Sequence, residues 1–332
     1  MSLRLATVSV FDVITTGRVG VDLYPQQSHV ALADVETFAK YLGGSATNVA
    51  VQAARLGSRA AVITKVGDDG FGSFVRQALE RFGVDPRWVG TDPDLRTPIA
   101  FCEVHPPDHF PLLFYRQPKA PDINLYPSDF DRDAVRTAGL FWITGTGLSD
   151  EPSRSTLLDL LRERTSATWT VLDLDYRPMF WRSPDEASHW LAAALPHATV
   201  AVGNEAEVEV AVGERDAHSA AVALLDRGVE LAVIKRGPEG VLAATPSQLI
   251  EVAPIRLPVV NGLGAGDAFG GMLAHALVHG WDLDRALTHA NAAGALAAAR
   301  LACADDFGTL EEIESVIAGA LADQIGARAW RS

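Results

Sequence analysis

The sequence predicts an α/β protein in which helices cover both faces of a mostly parallel sheet. Short apolar runs alternate with segments of helical periodicity along most of the chain. This alternation is typical of parallel sheets, because each crossover between parallel strands usually contains a helix. Residues 97–118 break the pattern with two β-rich runs around a proline-rich turn, which predicts a hairpin outside the main sheet.

The alternation places the elements in chain order. Two glycines precede Ser45, a suitable N-cap residue, so a helix is expected from there to about Leu56, with Gly57 ending it. Other helices are expected at 71–82, 152–164, 268–277 and from Asp282 onwards. Buried strands are expected at 8–14, 60–66, 84–89, 138–144, 169–174, 198–202 and 231–234.

The β-rich segments 18–42 and 97–120 are expected to form a small accessory sheet beside the main core. Residues 98–104 and 111–116 provide the two strands of the predicted hairpin. A chain of 332 residues can bury one large core or two modest ones, and we predict a single domain over residues 1–332.

Charge and cysteine content narrow the classes of partner. The net charge is −14, from 28 basic and 42 acidic residues, which argues against nucleic acid or an anionic membrane as a partner. The only cysteines, Cys102 and Cys303, form no disulfide framework, so we expect a reducing cytoplasm and two buried thiols. No apolar run approaches the roughly 18 residues of a membrane span, and residues 1–14 lack a signal-peptide pattern.

The stretch from Val259 to Gly280 carries the strongest functional signal. A glycine-rich turn leads into a helix, and free amides at a helix N-terminus bind anions such as phosphate. Asp267 stands in this first turn. It could cap the helix, or it could take a proton from a hydroxyl that attacks a phosphoryl group.

Two motifs resemble the ribokinase-like (PfkB) carbohydrate kinases. They are Gly-Ala-Gly-Asp-Ala-Phe at residues 264–269 and Gly-Gly-Ser-Ala-Thr-Asn-Val-Ala at 43–50. The resemblance implies a ribokinase-like three-layer α/β/α core with a mostly parallel sheet and a small β lid over the sugar. It also implies that Asp267 is the catalytic base and that the amides of Gly264, Ala265 and Gly266 form the anion hole.

The same resemblance implies a sugar site at the start of the chain. Asp22, Gly43, Gly44 and Asn48 match positions that bind sugar hydroxyls, and Asp267 is expected to face this cradle near Asn48. From the residues alone, Asp22 could equally belong to a solvated turn, and Asn48 could bond only to nearby backbone.

Arginines suggest an acidic sugar. Arg116 and Arg177 are expected to bind substrate, Arg116 by clamping a carboxylate, although Arg116 could instead form a solvated charge pair. Arg18 could contact an acidic sugar or lie on the surface. Asp173 and Asp175 follow a predicted strand on the same side, with Arg177 as the obvious ion-pair partner, and that pair could be purely structural.

ATP and Mg²⁺ are the cofactors that the resemblance implies. Glu207, three residues after Asn204, matches an element that organises Mg²⁺ through water, although the same spacing is that of a helix capping box. The implied nucleotide-binding residues are Asn204, Lys235, Gly237, Gly240 and Asn291. Many family members have an aspartate that helps to hold a monovalent cation where this chain has Asn261, which leaves K⁺ use undecided.

Further blocks, such as 13–25 and 172–181, are similar to the family branch that phosphorylates the C6 hydroxyl of 5-dehydro-2-deoxy-D-gluconate in myo-inositol breakdown. Kinases of the isomeric 2-dehydro-3-deoxygluconate remain an alternative, and those of ribose or fructose are less favoured. A dehydrogenase would need a complete Gly-x-Gly-x-x-Gly motif after the first strand, and a silent sugar sensor would not need Asp267. The expected partners are a sugar acid, ATP and, because a lid sheet with an exposed face often pairs, a second copy of the chain.

Overall fold

The computed structural model describes residues 10–164 and 169–329, and side chains up to residue 321 in the last helix. The strands are β1 (Val13–Thr16), β2 (Gly20–Pro25), β3 (Phe38–Gly43), β4 (Ala60–Gly67), β5 (Val84–Asp85), β6 (Val89–Asp92), β7 (Ile99–Cys102), β8 (Leu112–Tyr115), β9 (Leu140–Thr144), β10 (Trp169–Asp173), β11 (Val200–Asn204), β12 (Leu231–Lys235), β13 (Val241–Thr245) and β14 (Gln248–Val252). The helices are α1 (Ser45–Arg55), α2 (Gly70–Arg81), α3 (Arg132–Thr137), α4 (Ser153–Glu163), α5 (Pro184–Ala194), α6 (Glu205–Val212), α7 (Ala217–Asp226), α8 (Ala265–Val278), α9 (Leu283–Ala298) and α10 (Leu310–Ala329).

The main sheet has ten strands in the order β14-β13-β12-β11-β10-β9-β1-β4-β5, with β6 also paired to β4. All pairs from β12 to β5 are parallel, and β13 and β14 add an antiparallel edge. The carboxyl ends of β9 to β12 therefore meet at one edge, where ligand sites of such sheets collect.

Alternating side chains of the sheet feed two separate cores. Val13 packs in one cluster and Ile14 in the other, because successive strand residues point to opposite faces. Helices α1, α2, α8, α9 and α10 cover the first face, and α3 to α7 cover the second. The predicted three-layer α/β/α fold is confirmed.

Two glycines allow α8 to lie directly on α1 and the sheet. A Cβ atom at Gly270 would lie 2.7 Å from the Trp142 ring, and one at Gly271 would lie 2.4 Å from the Cβ of Gln52. Both distances are too short for real carbon atoms, so only glycine permits this approach. The start of α8, with Asp267, is thereby fixed close to the start of α1.

A second sheet, in the order β3-β2-β7-β8, comes from the two segments expected to form the accessory sheet. The β7–β8 pair is the antiparallel hairpin that the sequence predicted. Its register places Asp22, Ala100 and Phe114 side by side on one face. Together with Arg18, these residues line a small cavity of about 20 Å³ next to the main sheet.

Some local predictions were wrong. Ser45 is not the N-cap of α1: that position belongs to Gly44, with φ +105°, and Ser45 is the first helical residue. The strand expected at 84–89 is two strands, β5 and β6, because the chain turns where the Val89 amide donates to the carbonyl of Pro86. The strand expected at 8–14 begins only at Val13, and residues 8 and 9 lie outside the described part of the chain.

Both cysteines are free and buried, as expected. Within the described ranges, none of the helices combines the length and apolar character needed to cross a membrane.

Candidate active site

A cleft of about 880 Å³ opens where β10, β11 and β12 end and α8 begins. This volume falls in the range of cofactor-sized binding sites. The residues predicted for catalysis, the anion hole, the metal and the nucleotide all lie along the cleft, and so does Arg177, which was expected to bind substrate. These residues are Arg177, Asn204, Glu207, Lys235, Gly237, Gly240, Gly264, Ala265, Gly266, Asp267 and Asn291.

The glycine-rich turn builds an anion site at one wall of the cleft. Gly264 is the N-cap of α8 with φ +78°, and a Cβ atom there would lie 2.5 Å from the Cys303 sulfur. The first intrahelical bond is donated by the Ala268 amide, so the amides of residues 265–267 have no partner within the helix. These amides and the helix dipole together favour a phosphate group.

Asp267 connects the two glycine motifs. Asn48 Nδ2 donates a hydrogen bond of 2.8 Å to Asp267 Oδ2, across 219 residues of sequence. The N-cap position of α8 belongs to Gly264 and Asp267 is the third helical residue, so the interpretation of Asp267 as the cap of this helix was wrong. Burial raises the pKa of Asp267 to about 6, although the bond from Asn48 opposes the shift.

Asp175 gathers side chains from four parts of the chain. It is 3% exposed and has the uncommon φ of +29°. Its carboxylate accepts bonds of 2.9 Å from both Ser45 Oγ and Thr146 Oγ1, and it pairs with Arg18 at 3.3 Å and Arg177 at 3.2 Å. Burial alone would raise the pKa of Asp175, but the two arginine charges and the hydroxyl bonds lower it below its usual range. The expected pairing with Arg177 is therefore present.

Lys235 and Asp173 both line the cleft near the anion site. A Cβ atom on Gly266 would lie 3.3 Å from Lys235 Nζ, which shows how closely the amine approaches the turn. Burial raises the pKa of Asp173, the charge of Lys235 opposes this, and the neighbouring Asp175 and Glu207 add to it. A cation and amides thus stand at the same end of the cleft.

The chemistry of the donor set fits a nucleotide-borne Mg²⁺. Asn204 and Glu207 form a capping box, with bonds of 2.9 Å and 2.8 Å between side chains and backbone amides, so the structural interpretation of this pair is correct. Asp173, Asn204 and Glu207 still offer hard oxygens along the cleft. The described residues contain no cluster of three or more His, Cys, Asp or Glu side chains able to hold a metal. Mg²⁺ commonly keeps several waters and uses few protein groups beside substrate phosphates.

The sugar-side residues surround Asp22. A Cβ atom at Gly43 would lie 2.1 Å from Asp22 Oδ1, so only glycine allows the carboxylate to lie there. Burial raises the pKa of Asp22 to about 6, and the Tyr24 hydroxyl, which donates to it at 3.1 Å, lowers it in part. Tyr24 also contacts the Cys303 sulfur at 2.8 Å, which links Asp22 to the support of Gly264.

The remaining predicted residues lie at the edges of the site. Arg116 lines the small cavity, with both terminal nitrogens bound to the buried Asp122, so it is neither solvated nor free. Gly44 lines the same cavity. Asn291 lies along the large cleft, where its side chain donates to the carbonyl of Ala253.

The side-chain hydroxyl groups that bind the carboxylates of the site were not predicted from the sequence. Tyr24, Ser45 and Thr146 hold the two buried carboxylates of the sugar side, Asp22 and Asp175. Hydroxyl residues are common at turns and helix starts, and the Ser45 bond spans 130 residues, so no local pattern distinguishes them.

The chain is similar to several known proteins over most of its length. Residues 10–309 match the model of the pfkB family of carbohydrate kinases. The chain is 33% identical over 313 residues to the 5-dehydro-2-deoxygluconokinase of Geobacillus thermodenitrificans, which covers 92% of this chain and 93% of that protein. It is 34% identical over 308 residues to the protein of the same name from Photobacterium profundum, and the match covers 90% of this chain and 92% of that protein. A candidate ribokinase II from E. coli, solved with ATP and Mg²⁺, superposes with a TM-score of 0.84 at 25% identity over 93% of this chain and 99% of that one.

Proposed function

The chain belongs to the pfkB family of carbohydrate kinases, and from that premise we propose that it transfers phosphate from ATP to the C6 hydroxyl of 5-dehydro-2-deoxy-D-gluconate. The name shared by its relatives supports this substrate. The observation that carries the proposal is the bond between Asn48 and Asp267, which holds a carboxylate between the anion-binding turn and the sugar-side motif.

Asp267 is the base in the proposed reaction. Its pKa of about 6 leaves it ionised at neutral pH yet basic enough to accept the proton of an attacking hydroxyl. The unpaired amides at 265–267 stabilise charge on the phosphoryl group as it moves in line from ATP to the sugar. Asp22, Gly43, Gly44 and Asn48 provide the sugar cradle.

The nucleotide occupies the large cleft in this proposal. Lys235 neutralises phosphate charge beside the turn, while Asn204, Gly237, Gly240 and Asn291 shape the rest of the pocket. Glu207, with Asp173 nearby, would help to hold Mg²⁺ through water. When bound, Mg²⁺ would neutralise charge on the phosphate oxygens. The similar E. coli structure contains ATP and Mg²⁺, which supports these two cofactors, and the use of K⁺ stays undecided.

The four-stranded sheet acts as a lid. Phe110, in the turn of the β7–β8 hairpin, stands 3.1 Å from the position of a Cβ atom on Gly262, so the hairpin reaches the glycine-rich turn. Closure there would exclude water from the phosphoryl group.

The outer strand of this sheet exposes Leu113 and Tyr115, which supports a homodimer through the sheet, and light scattering would test the oligomeric state. A location in the cytoplasm also remains a prediction.

A kinase assay tests the substrate. The purified protein is incubated with ATP, Mg²⁺ and either 5-dehydro-2-deoxygluconate, 2-dehydro-3-deoxygluconate, ribose or fructose, and ³¹P NMR locates the phosphate on the product. We expect the highest kcat/KM for 5-dehydro-2-deoxygluconate, with phosphate on C6. Higher kcat/KM for the isomeric acid or for a neutral sugar would reject the proposed substrate.

A further inference from the structure

Three arginines lie near the sugar side, and their contacts differ. Arg116 has both terminal nitrogens bound to Asp122, at 3.0 Å and 2.6 Å. Asp122 has a fully buried side chain, and it also accepts a bond of 3.1 Å from the Val19 amide. To bind a substrate carboxylate, Arg116 would have to leave a buried charge unpaired, which is unfavourable.

Arg177 lies on the nucleotide side of the site. Its side chain is 37% exposed, and it lines the large cleft together with Lys235. It pairs with Asp175 at 3.2 Å and lies 4.0 Å from Glu207, in the first turn of α6. These contacts direct Arg177 towards the nucleotide and its phosphates.

Arg18 differs from both because it is buried and still has donors to spare. Its side chain is 9% exposed, and one nitrogen, Nη2, makes its hydrogen bonds, to Ser45 at 3.2 Å and to Asp175 at 3.3 Å. The Nε atom is buried without a partner, as is that of Arg177, but of the three arginines only Arg18 combines this with a place on the small sugar-side cavity. Buried donors are nearly always satisfied in folded proteins, so an unsatisfied arginine beside a cavity supports a ligand there.

The surroundings of Arg18 suit an anion that has left water. The guanidinium lies 5.8 Å from the ring centroid of Phe114, on the lid, and 5.7 Å from that of Phe180, on the core. Arg18, Phe114 and the sugar-side Asp22 line the same small cavity. Aromatic walls exclude water, and a charged hydrogen bond is stronger in such a medium.

We propose that Arg18 is the specificity-determining residue that binds the carboxylate of the acidic substrate, and this rests on the proposed function. Asp175 holds Nη2 of the guanidinium, and the remaining donors of Arg18 are left for the ligand. The cavity of about 20 Å³ beside Arg18 is lined on one side by Phe114 of β8, so this lid strand would cover the bound carboxylate.

The test compares an acid with its neutral counterpart, in which an alcohol group replaces the carboxylate. Steady-state KM and kcat are measured for both with wild-type protein, Arg18→Gln and Arg18→Lys. We expect Arg18→Gln to raise KM for the acid about 10- to 100-fold, the range for one charged hydrogen-bonding partner, and to leave KM for the neutral sugar and for ATP unchanged. Arg18→Lys should restore part of the loss, because it keeps the charge but lacks the planar fork.

Two matched variants, Arg116→Gln and Arg177→Gln, separate this inference from the proposed function. If wild-type protein shows no preference for the acid, the proposed substrate class fails. If the wild-type preference persists in Arg18→Gln and is lost in a matched variant, the inference about Arg18 fails and the proposed function stands. ATP affinity from calorimetry monitors folding. Should Arg18→Gln not bind ATP, Arg18→Lys decides, and an unchanged KM for the acid in that variant overturns the inference.

Discussion

Replacing Asp267 with asparagine separates the chemistry of this carboxylate from its structural contact. The amide oxygen of the new side chain can accept the same bond from Asn48 Nδ2, and the side-chain volume hardly changes, so α1 and α8 should stay joined. The amide cannot take a proton from a hydroxyl. Because a positioned general base contributes roughly 10²- to 10⁴-fold, kcat should fall by about that factor, while KM for ATP and sugar stays near wild-type values.

The pKa of Asp267 also predicts how wild-type activity depends on pH. Burial raises this pKa to about 6, and the ionised form is the active one. In wild-type protein kcat/KM should therefore fall about tenfold per pH unit below about pH 6 and level off above it. Stability has the opposite sign, because the folded state holds this proton more tightly than the unfolded chain. Ionisation of Asp267 thus costs stability between about pH 4 and pH 6, and Asp267→Asn should have a Tm at neutral pH at least equal to that of wild type.

The assay couples ADP release to a spectroscopic readout, with calorimetry for ATP affinity and Tm as the check on folding. Asp282→Asn is the matched control, since Asp282 caps α9 through a bond of 2.9 Å to the Arg285 amide and lies on the exposed surface. We expect the control to keep wild-type kcat. A kcat for Asp267→Asn within a few-fold of wild type, in a folded protein, would refute the role of this carboxylate.

Three further predictions concern the frame of the site. Gly264→Ala should lower the free energy of unfolding by about 1–3 kcal/mol in urea titrations. The loss should exceed that of Gly213→Ala. Both glycines have φ near +80°, but only Gly264 has the Cys303 sulfur 2.5 Å from its Cβ position. Asp175→Asn should cost about 3–5 kcal/mol in the same titrations, since it leaves two arginines without their carboxylate, and a loss below about 1 kcal/mol would contradict the buried pairing. Turnover should be the same in KCl and in choline chloride. Asn261 holds the turn through a hydrogen bond of 2.7 Å from its amide nitrogen to the carbonyl of Leu301. Strong activation by K⁺ would contradict this prediction.

The main sheet and the location of the cleft were predictable because they depend on short-range patterns and one topological rule. Apolar runs such as 60–66 and 231–234 are long enough to identify strands, and parallel strands bring their carboxyl ends to one edge. The loops after β10, β11 and β12 must then be neighbours. Asn204 and Lys235, at the ends of adjacent strands, are paired in the register of the sheet.

The contacts within the site depend on information that the local sequence lacks. Ser45 is a good N-cap residue by type, but Asp175 offers a buried, charged acceptor, and the hydroxyl bonds to it instead. Arg116 shows the reverse case, since its partner Asp122 is only six residues away. Proximity made that pair foreseeable, but only the structure shows that it is buried and that the Val19 amide also binds to it.

A net charge of −14 raises the question of how the protein binds two anions in adjoining sites. Its cations lie among carboxylates. Burial lowers the pKa of Lys235, but the charges of Asp173 and Glu207 raise it on balance, and Arg177 is paired with Asp175. Such pairs orient a cation but neutralise much of its charge, so cations alone give the cleft little excess attraction for phosphate. The amides at 265–267 carry no counter-charge and therefore attract phosphate without this penalty. It follows that ATP should bind far better with Mg²⁺ than without it, because the metal removes the repulsion between the phosphates and the surrounding acidic groups.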